Sequence, residues 1–288
     1  MSSFSFTKMH GCGNDYVFVD AWQERLPRDL PALARAISDR HQGVGADGLI
    51  LVGPSRRADC RMVMFNADGS RSEMCGNGLR CAAKLAHDHQ HVRSPIMRVE
   101  TGAGILTVHL HRQHGEITGA RVAMGHPRLQ PALVPVTLSR QGPLLPLTLR
   151  LGGTTVRLLA VGMGNPHAVC FVRDPDRFAV TAIGPLIERH PRFPRRTNVE
   201  FVKVLAERSA SGLPIVRQRT WERGSGETQA CGTGACATLV AAILQRRITT
   251  RAAVIRLTGG DLEAAWPDDG AEVILSGPAV TVFTGRWG

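Results

Sequence analysis

Two stretches, F-N-A-D-G-S-R-S-E-M-C-G-N-G from Phe65 to Gly78 and W-E-R-G-S-G-E-T-Q-A-C-G-T-G from Trp221 to Gly234, say the same thing twice. Each carries a polar residue (Asn66, Glu222) nine positions before a cysteine, and each cysteine is followed by Gly-x-Gly and an apolar run. Working outward, G-C-G-N-D-Y-V-F-V-D (Gly11 to Asp20) resembles G-M-G-N-P-H-A-V-C-F-V-R-D (Gly162 to Asp174). D-R-H-Q-G-V-G-A-D-G-L-I-L-V (Asp39 to Val52) likewise faces E-R-H-P-R-F-P-R-R-T-N-V-E-F-V-K-V (Glu188 to Val204). The pairs 14/165, 41/190, 47/198, 66/222 and 75/231 keep their order at separations of 149 to 156 residues. Five matches in one order point to a duplicated unit.

Each unit reads as a strand, a helix (around Leu30 to His41 and Val180 to His190), further strands, a glycine-rich loop and a second helix after the cysteine. Those second helices are expected at about Leu79 to Ala86 and Ala235 to Gln245. A-K-L-A and A-T-L-V-A-A-I-L are apolar nearly all round, which suits a helix buried within a sheet. The fold class is therefore α+β, with two pseudo-symmetric duplicated domains, each a curved, barrel-like mixed β-sheet around a central helix. Their boundary falls near Gly119 to Pro127, and the Pro- and Leu-rich stretch Leu129 to Gly153 reads as loop and edge strand.

A chain of 288 residues, 43% of them apolar, holds two domains of ordinary size. The amino terminus has no basic head followed by an apolar core, and no apolar run approaches a membrane span, so a soluble, cytoplasmic protein is expected. The net charge of +11 comes from arginine, since lysine occurs only at Lys8, Lys84 and Lys203. Basic residues are spread out and aromatics make up only 5%, which argues for a solvated arginine-rich surface rather than a nucleic-acid-binding one.

Seven cysteines without a C-x-x-C, in a chain too long to need staples, argue against a disulfide framework. Cys81 and Cys236 fall inside the following helices and read as packing residues. For Cys75 and Cys231, a place just before a helix start lowers the thiol pKa towards neutrality, and the adjacent glycines open backbone N–H groups to a carboxylate. Two such domains facing across a cleft would present two thiols to opposite faces of one carbon, the requirement for inverting a stereocentre. The glycine loops fit neither G-x-G-x-x-G nor a P-loop, so no cofactor is expected. No metal is expected either: of the clusters His87 to His91 and His109 to His114, the first follows a helix end, where imidazoles and solvent suffice. The competing readings are a same-fold racemase or isomerase of another amino acid and, from another class, a thiol redox or metal-binding protein.

Collinear motifs run over nearly the whole chain: K-M-H-G-C-G-N-D-Y, D-R-H-Q-G-V-G-A-D-G, F-N-A-D-G-S, C-G-N-G-L-R-C, V-E-T-G-A-G, M-G-N-P-H, T-N-V-E-F, W-E-R-G-S-G-E-T-Q-A-C-G-T-G-A-C and S-G-P-A-V. Together they resemble the diaminopimelate epimerase family, although C-G-T-G alone would also suit proline racemase relatives. The resemblance implies pyridoxal-phosphate-independent interconversion of LL- and meso-2,6-diaminopimelate, for lysine and peptidoglycan precursors. It also implies domains at 1–120 and 121–277, with a last strand, 278–288, returning to the first. On matching motifs, Cys75 and Cys231 are the proton-transfer thiols, tuned by His167 and Glu222. Asn14, Asn66, Asn165, Asn198, Glu222 and Arg223 grip the far end of the substrate, and Gly76, Asn77, Gly232 and Thr233 hold the reacting carboxylate. Gly48 stands where some members have a substrate-approaching glutamine, so any contact there would be through backbone. Phe283 stands where some have a tyrosine linked to dimer packing, and a homodimer is implied.

Overall fold

The computed structural model describes residues 3–138, 146–151 and 153–288. The chain divides into two compact units, Met1–Ala123 with Ser276–Gly288, and Met124–Leu275.

In the first unit, β1 (Phe4–Gly11) and β2 (Asn14–Asp20) form an antiparallel pair, and α1 (Leu30–Ser38) crosses over to β3 (Gly48–Gly53), which lies parallel to β2. Next come β4 (Cys60–Asn66) antiparallel to β3, the short β5 (Arg71–Ser72), α2 (Gly76–Asp88), β6 (Ile96–Thr101) parallel to β4, then β7 (Gly104–Gln113) and β8 (Glu116–Ala123). Parallel neighbours need a crossover, and α1 and α2 supply the two.

The second unit repeats this order. It comprises β9 (Leu147–Leu151), β10 (Thr154–Gly162), β11 (Pro166–Phe171), α3 (Val180–Glu188), β12 (Asn198–Arg208), β13 (Pro214–Glu222), β14 (Gly226–Thr228), α4 (Gly232–Leu244), β15 (Ala252–Leu257) and β16 (Gly260–Ala265). β11 and β12 are parallel, as are β13 and β15, matching β2/β3 and β4/β6. β17 (Ile274–Pro278) leads back to the first unit, where β18 (Val280–Trp287) lies antiparallel to β1. β18 thus takes beside β1 the place that β9 takes beside β10.

The repeat dictates burial. α2 packs on β1, β2, β3, β4, β6, β7 and β8, so the sheet rolls around it, and α4 is likewise ringed by β10, β11, β12, β15 and β16. Every residue from Gly234 to Ala242 of α4 is buried. The other sheet face is covered by the amphipathic crossover helices: Leu33, Ala34 and Ile37 of α1 pack with Val17, Val19, Leu49 and Leu51, and Val180 and Ile187 of α3 pack with Ala168, Cys170, Val199 and Phe201. Covering on both faces explains why β3 reads as the unbroken apolar run G-L-I-L-V-G.

The helices that follow the cysteines start earlier than expected, at Gly76 and Gly232, because Cys75 and Cys231 are themselves the N-caps. In Leu129 to Gly153 the described part contains a 3-10 turn at Pro131–Leu133 and β9 paired with β10. Residues 139–145 and 152, on which the rest of the loop-and-edge-strand expectation falls, lie outside the described residues.

Gly184 lets α3 lie directly on Trp221, for a Cβ there would approach the Trp221 ring within 2.5–2.8 Å. The indole is fixed in turn by its Nε1–H donating to Glu188 at 2.8 Å. Gly184→Ala should therefore overpack this contact and cost about 1–3 kcal/mol, read as a lower urea midpoint at unchanged m-value.

Candidate active site

Cys75 takes an extended conformation (φ −137°, ψ 121°) at the start of α2, and Cys231 a similar one (φ −126°, ψ 108°) at the start of α4. Leu79 N–H donates to the Cys75 carbonyl at 2.8 Å and Ala235 N–H to the Cys231 carbonyl at 2.9 Å, which closes each first turn. The preceding amides, on Gly76 and Asn77 and on Gly232 and Thr233, have no acceptor within their own helix and are suited to an anion. Gly78 and Gly234 permit the close approach, since a Cβ would stand 2.6 Å from Ile50 Cδ1 in the first unit and 2.7 Å from Glu200 Oε1 in the second.

Around Cys75, Sγ lies 3.5 Å from the Gly78 N–H, 3.4 Å from Asn14 Oδ1 and 3.5 Å from the Tyr16 hydroxyl. Asn77 Nδ2 also reaches Asn14 Oδ1, at 3.4 Å, and buried Arg80 donates to Asn77 Oδ1 at 2.8 Å. Asn14 owes its place to the turn before it, where Cys12 and Gly13 are left-handed (φ 56° and 77°), and to Asp47, whose Oδ2 accepts from Asn14 Nδ2 at 2.5 Å. Arg40 ties Asp47 to Asp15, and Asp15 meets Lys8. Asn66 lies opposite Gly48 in the β3–β4 ladder and donates to Ser70 Oγ at 2.9 Å. Gly48 has no room for a side chain, because a Cβ would fall 2.2 Å from the Phe65 carbonyl oxygen.

Around Cys231, Thr233 Oγ1 stands 3.6 Å from Sγ. His167, wholly buried, places Nδ1 2.8 Å from Oε1 of equally buried Glu200 and Nε2 2.8 Å from Asn165 Oδ1. The ligating atoms of His167, Glu200 and Cys231 lie within 4.8 Å of one another, a donor set that would also suit a zinc-like ion. Glu222, half-buried beside the thiol, accepts from Thr228 Oγ1 at 2.6 Å, and its carboxyl is pushed up chiefly by burial. Asn198 Oδ1 accepts from the Arg223 backbone N–H at 2.9 Å, and the exposed Arg223 guanidinium donates to the Arg195 carbonyl at 3.2 Å. Phe283 stands apart on β18, 46% exposed and edge-on to Phe6.

One expectation is overturned. The helix start does not bring the Cys231 thiol towards neutrality: burial, then Glu222, then Glu200, raise it well above the ordinary thiol value, against smaller opposing contributions from Thr233 and the Gly234 N–H. In a buried setting a helix terminus is worth up to about 2 kcal/mol, against about 1.4 kcal/mol per pKa unit, and burial beside two carboxylates outweighs it here.

Three contributors escaped the sequence reading. Tyr16, the one tyrosine of the chain, occupies in the first unit the position of His167 in the second, two residues beyond the repeated asparagine. Asp47 lay in the quoted A-D-G. Glu200 was a lone acid in the apolar run N-V-E-F-V, and its counterpart in the first unit is Leu49.

A family model described as diaminopimelate epimerase matches residues 6–130 and 159–282. The chain belongs to the diaminopimelate epimerase family. It is 46% identical over 288 residues to a diaminopimelate epimerase of Geobacillus thermodenitrificans, covering 99% of this chain and 97% of that one. It is 48% identical over 283 residues to that of Pelotomaculum thermopropionicum, covering 98% of each. Among solved structures, a hydroxyproline epimerase from Agrobacterium vitis superposes with a TM-score of 0.68 at 16% identity, over 99% of this chain and 92% of that one. A PhzF-family phenazine biosynthesis protein of Bacillus anthracis gives 0.70 at 14%, over 100% and 99%. At such identities these two structures show the fold shared by diaminopimelate epimerases and PhzF-like proteins.

Removing a negative neighbour must lower the pKa of a thiol. Glu222→Gln and Glu200→Gln are each expected to move the pH midpoint of Cys231 alkylation by iodoacetamide downward, followed by peptide mass spectrometry. A midpoint that stays put in both variants would show that the carboxylates do not hold the proton.

Proposed function

We propose that this chain is an isomerase that interconverts LL- and meso-2,6-diaminopimelate by a two-base mechanism, with Cys75 and Cys231 addressing opposite faces of the same α-carbon. The observation that carries the reading is the pair of N-cap cysteines, one in each unit, each followed by first-turn amides suited to a carboxylate. As the α-proton leaves, charge builds on that carboxylate, and those amides stabilise it more in the transition state than in the ground state.

The two thiols have unequal surroundings. Cys231 has Glu222 and Glu200 beside it, whereas the corresponding positions near Cys75 are the uncharged Asn66 and Leu49. Burial first, and then these carboxylates, favour the protonated thiol at Cys231, and we assign the thiolate role in the resting enzyme to Cys75. Tyr16 and Asn14 hold Cys75, and His167, positioned by Glu200, lies against Cys231.

The unreacting end of a symmetric diamino diacid must be recognised as both anion and cation. Arg223 with Asn66, Asn165 and Asn198 suits its carboxylate, and Glu222 suits its ammonium. An analogue without that ammonium would leave Glu222 unpaired and be refused. Gly48 can contribute backbone only. Among the described residues no helix is long and apolar enough to cross a membrane, and a cytoplasmic setting would keep both thiols reduced. Val280, Val282 and Phe283, all exposed on β18, favour a homodimer formed through this strand.

Reduced protein incubated with LL-diaminopimelate in D2O, without added cofactor, should yield the meso isomer carrying α-deuterium. Neither product nor exchange, with thiols confirmed free, would sink the assignment. Cys75→Ala and Cys231→Ala should each lower epimerisation by at least about 10²-fold, the scale of one positioned acid or base, with circular dichroism unchanged. In the resting enzyme at neutral pH, iodoacetamide should label Cys75 before Cys231, and the reverse order would refute the assignment of thiolate and thiol.

A further inference from the structure

The first unit holds a second cluster of ligating side chains that the epimerase chemistry does not use. Asp20 ends β2, only 7% exposed, and its Oδ1 accepts from the Trp22 backbone N–H at 3.0 Å. Its Oδ2 points at two imidazoles, 2.8 Å from His89 Nδ1 and 2.7 Å from His91 Nε2. All three ligating atoms lie within 4.8 Å of one another.

The placement is built rather than incidental. α2 ends in a Schellman turn: Gln90 N–H donates to the His87 carbonyl at 2.9 Å, His91 N–H to the Ala86 carbonyl at 3.0 Å, and Gln90 itself is left-handed at φ 62°. That turn, adopted here without a glycine, swings His89 and His91 to the same side, towards a carboxylate 69 and 71 residues earlier in the chain. Trp22 then fixes the second ring, stacking on His91 with centroids 4.2 Å apart and planes 13° apart. The sequence shows only H-D-H-Q-H; the buried third donor is supplied by the fold.

We infer that Asp20, His89 and His91 form a binding site for a divalent transition-metal cation. Two imidazoles and one carboxylate suit Zn²⁺, Co²⁺ or Ni²⁺, and offer too few oxygens for Ca²⁺ or Mg²⁺. In the described arrangement each ring can donate an N–H to Oδ2. A cation takes the place of those two hydrogens while each neutral ring carries its proton on the other nitrogen, so no net proton is lost. The bound ion would clip the end of β2 to the end of α2, the helix whose opposite end begins after Cys75.

The test uses full-length, reduced protein stripped by a chelator and titrated with CoCl2 or NiCl2 by calorimetry. One equivalent should bind and raise the thermal midpoint, with a cobalt visible spectrum free of thiolate charge transfer. Quenching of Trp22 fluorescence by the paramagnetic ion should accompany binding, and Trp22→Phe should keep the binding but lose that quenching. His89→Ala and His91→Ala should each weaken binding by more than about tenfold, leave epimerisation unchanged and keep the wild-type circular dichroism. Cys75→Ser/Cys231→Ser protein should bind as wild type. No saturable binding, binding kept by both histidine variants, or binding lost in the Cys75→Ser/Cys231→Ser protein, would overturn the proposal and leave the two imidazoles as hydrogen-bond donors to Asp20.

Discussion

A helix that begins inside a protein leaves its first N–H groups without partners, and the rest of this structure follows from how that debt is met. In each unit the helix start is held within a rolled sheet, so water is scarce and a side chain or a ligand must complete the turn. A cysteine N-cap meets little of it: sulfur is a poor acceptor, and the Gly78 N–H stands 3.5 Å from Cys75 Sγ. What remains is a set of first-turn amides beside a cysteine sulfur, suited to a carboxylate. The surrounding glycines follow from the same geometry, because a Cβ at Gly78 or Gly234 would collide with the sheet that encloses the helix.

Duplication provided two such starts, and divergence made them unequal. Tyr16 and His167 are positional counterparts, as are Leu49 and Glu200, and Asn66 and Glu222. These exchanges place carboxylates at 200 and 222 in the second unit, whereas the pair Asp47 and Asn198 runs the other way, and the ionisation of Tyr16 is driven far up by burial and by Cys75. Similar backbones thus place their two thiols in different surroundings, which suits the proposed route through one proton donor and one acceptor.

The sequence disclosed the architecture because its decisive features are local. The glycine turns, the cysteine at a helix start and the apolar run behind it are each written within ten residues, and repetition made them legible. What stayed hidden depends on distance in the chain. Glu200 meets His167 across two parallel strands, Asp47 meets Asn14 from the loop before β3, and Asp20 meets His89 only after α2 has been placed. The thiol pKa misled for a related reason: a helix dipole and the tuning residue Glu222 can be read from sequence, whereas the burial of Cys231 and the Glu200 carboxylate arriving from β12 cannot.

The position of β18 bears on how this chain is made. The strand that completes the first unit is residues 280–287, so nascent chain emerging from a ribosome forms the second unit, residues 124–275, while the first still lacks its edge. The amino-terminal half must wait with β1 unpaired on one side, and its closure spans nearly the full chain, the slowest kind of contact to form. The first unit is therefore tied to a strand that lies beyond the whole second unit in the chain, and removing residues 280–287 would leave β1 with an open edge while every strand of residues 124–275 is still encoded.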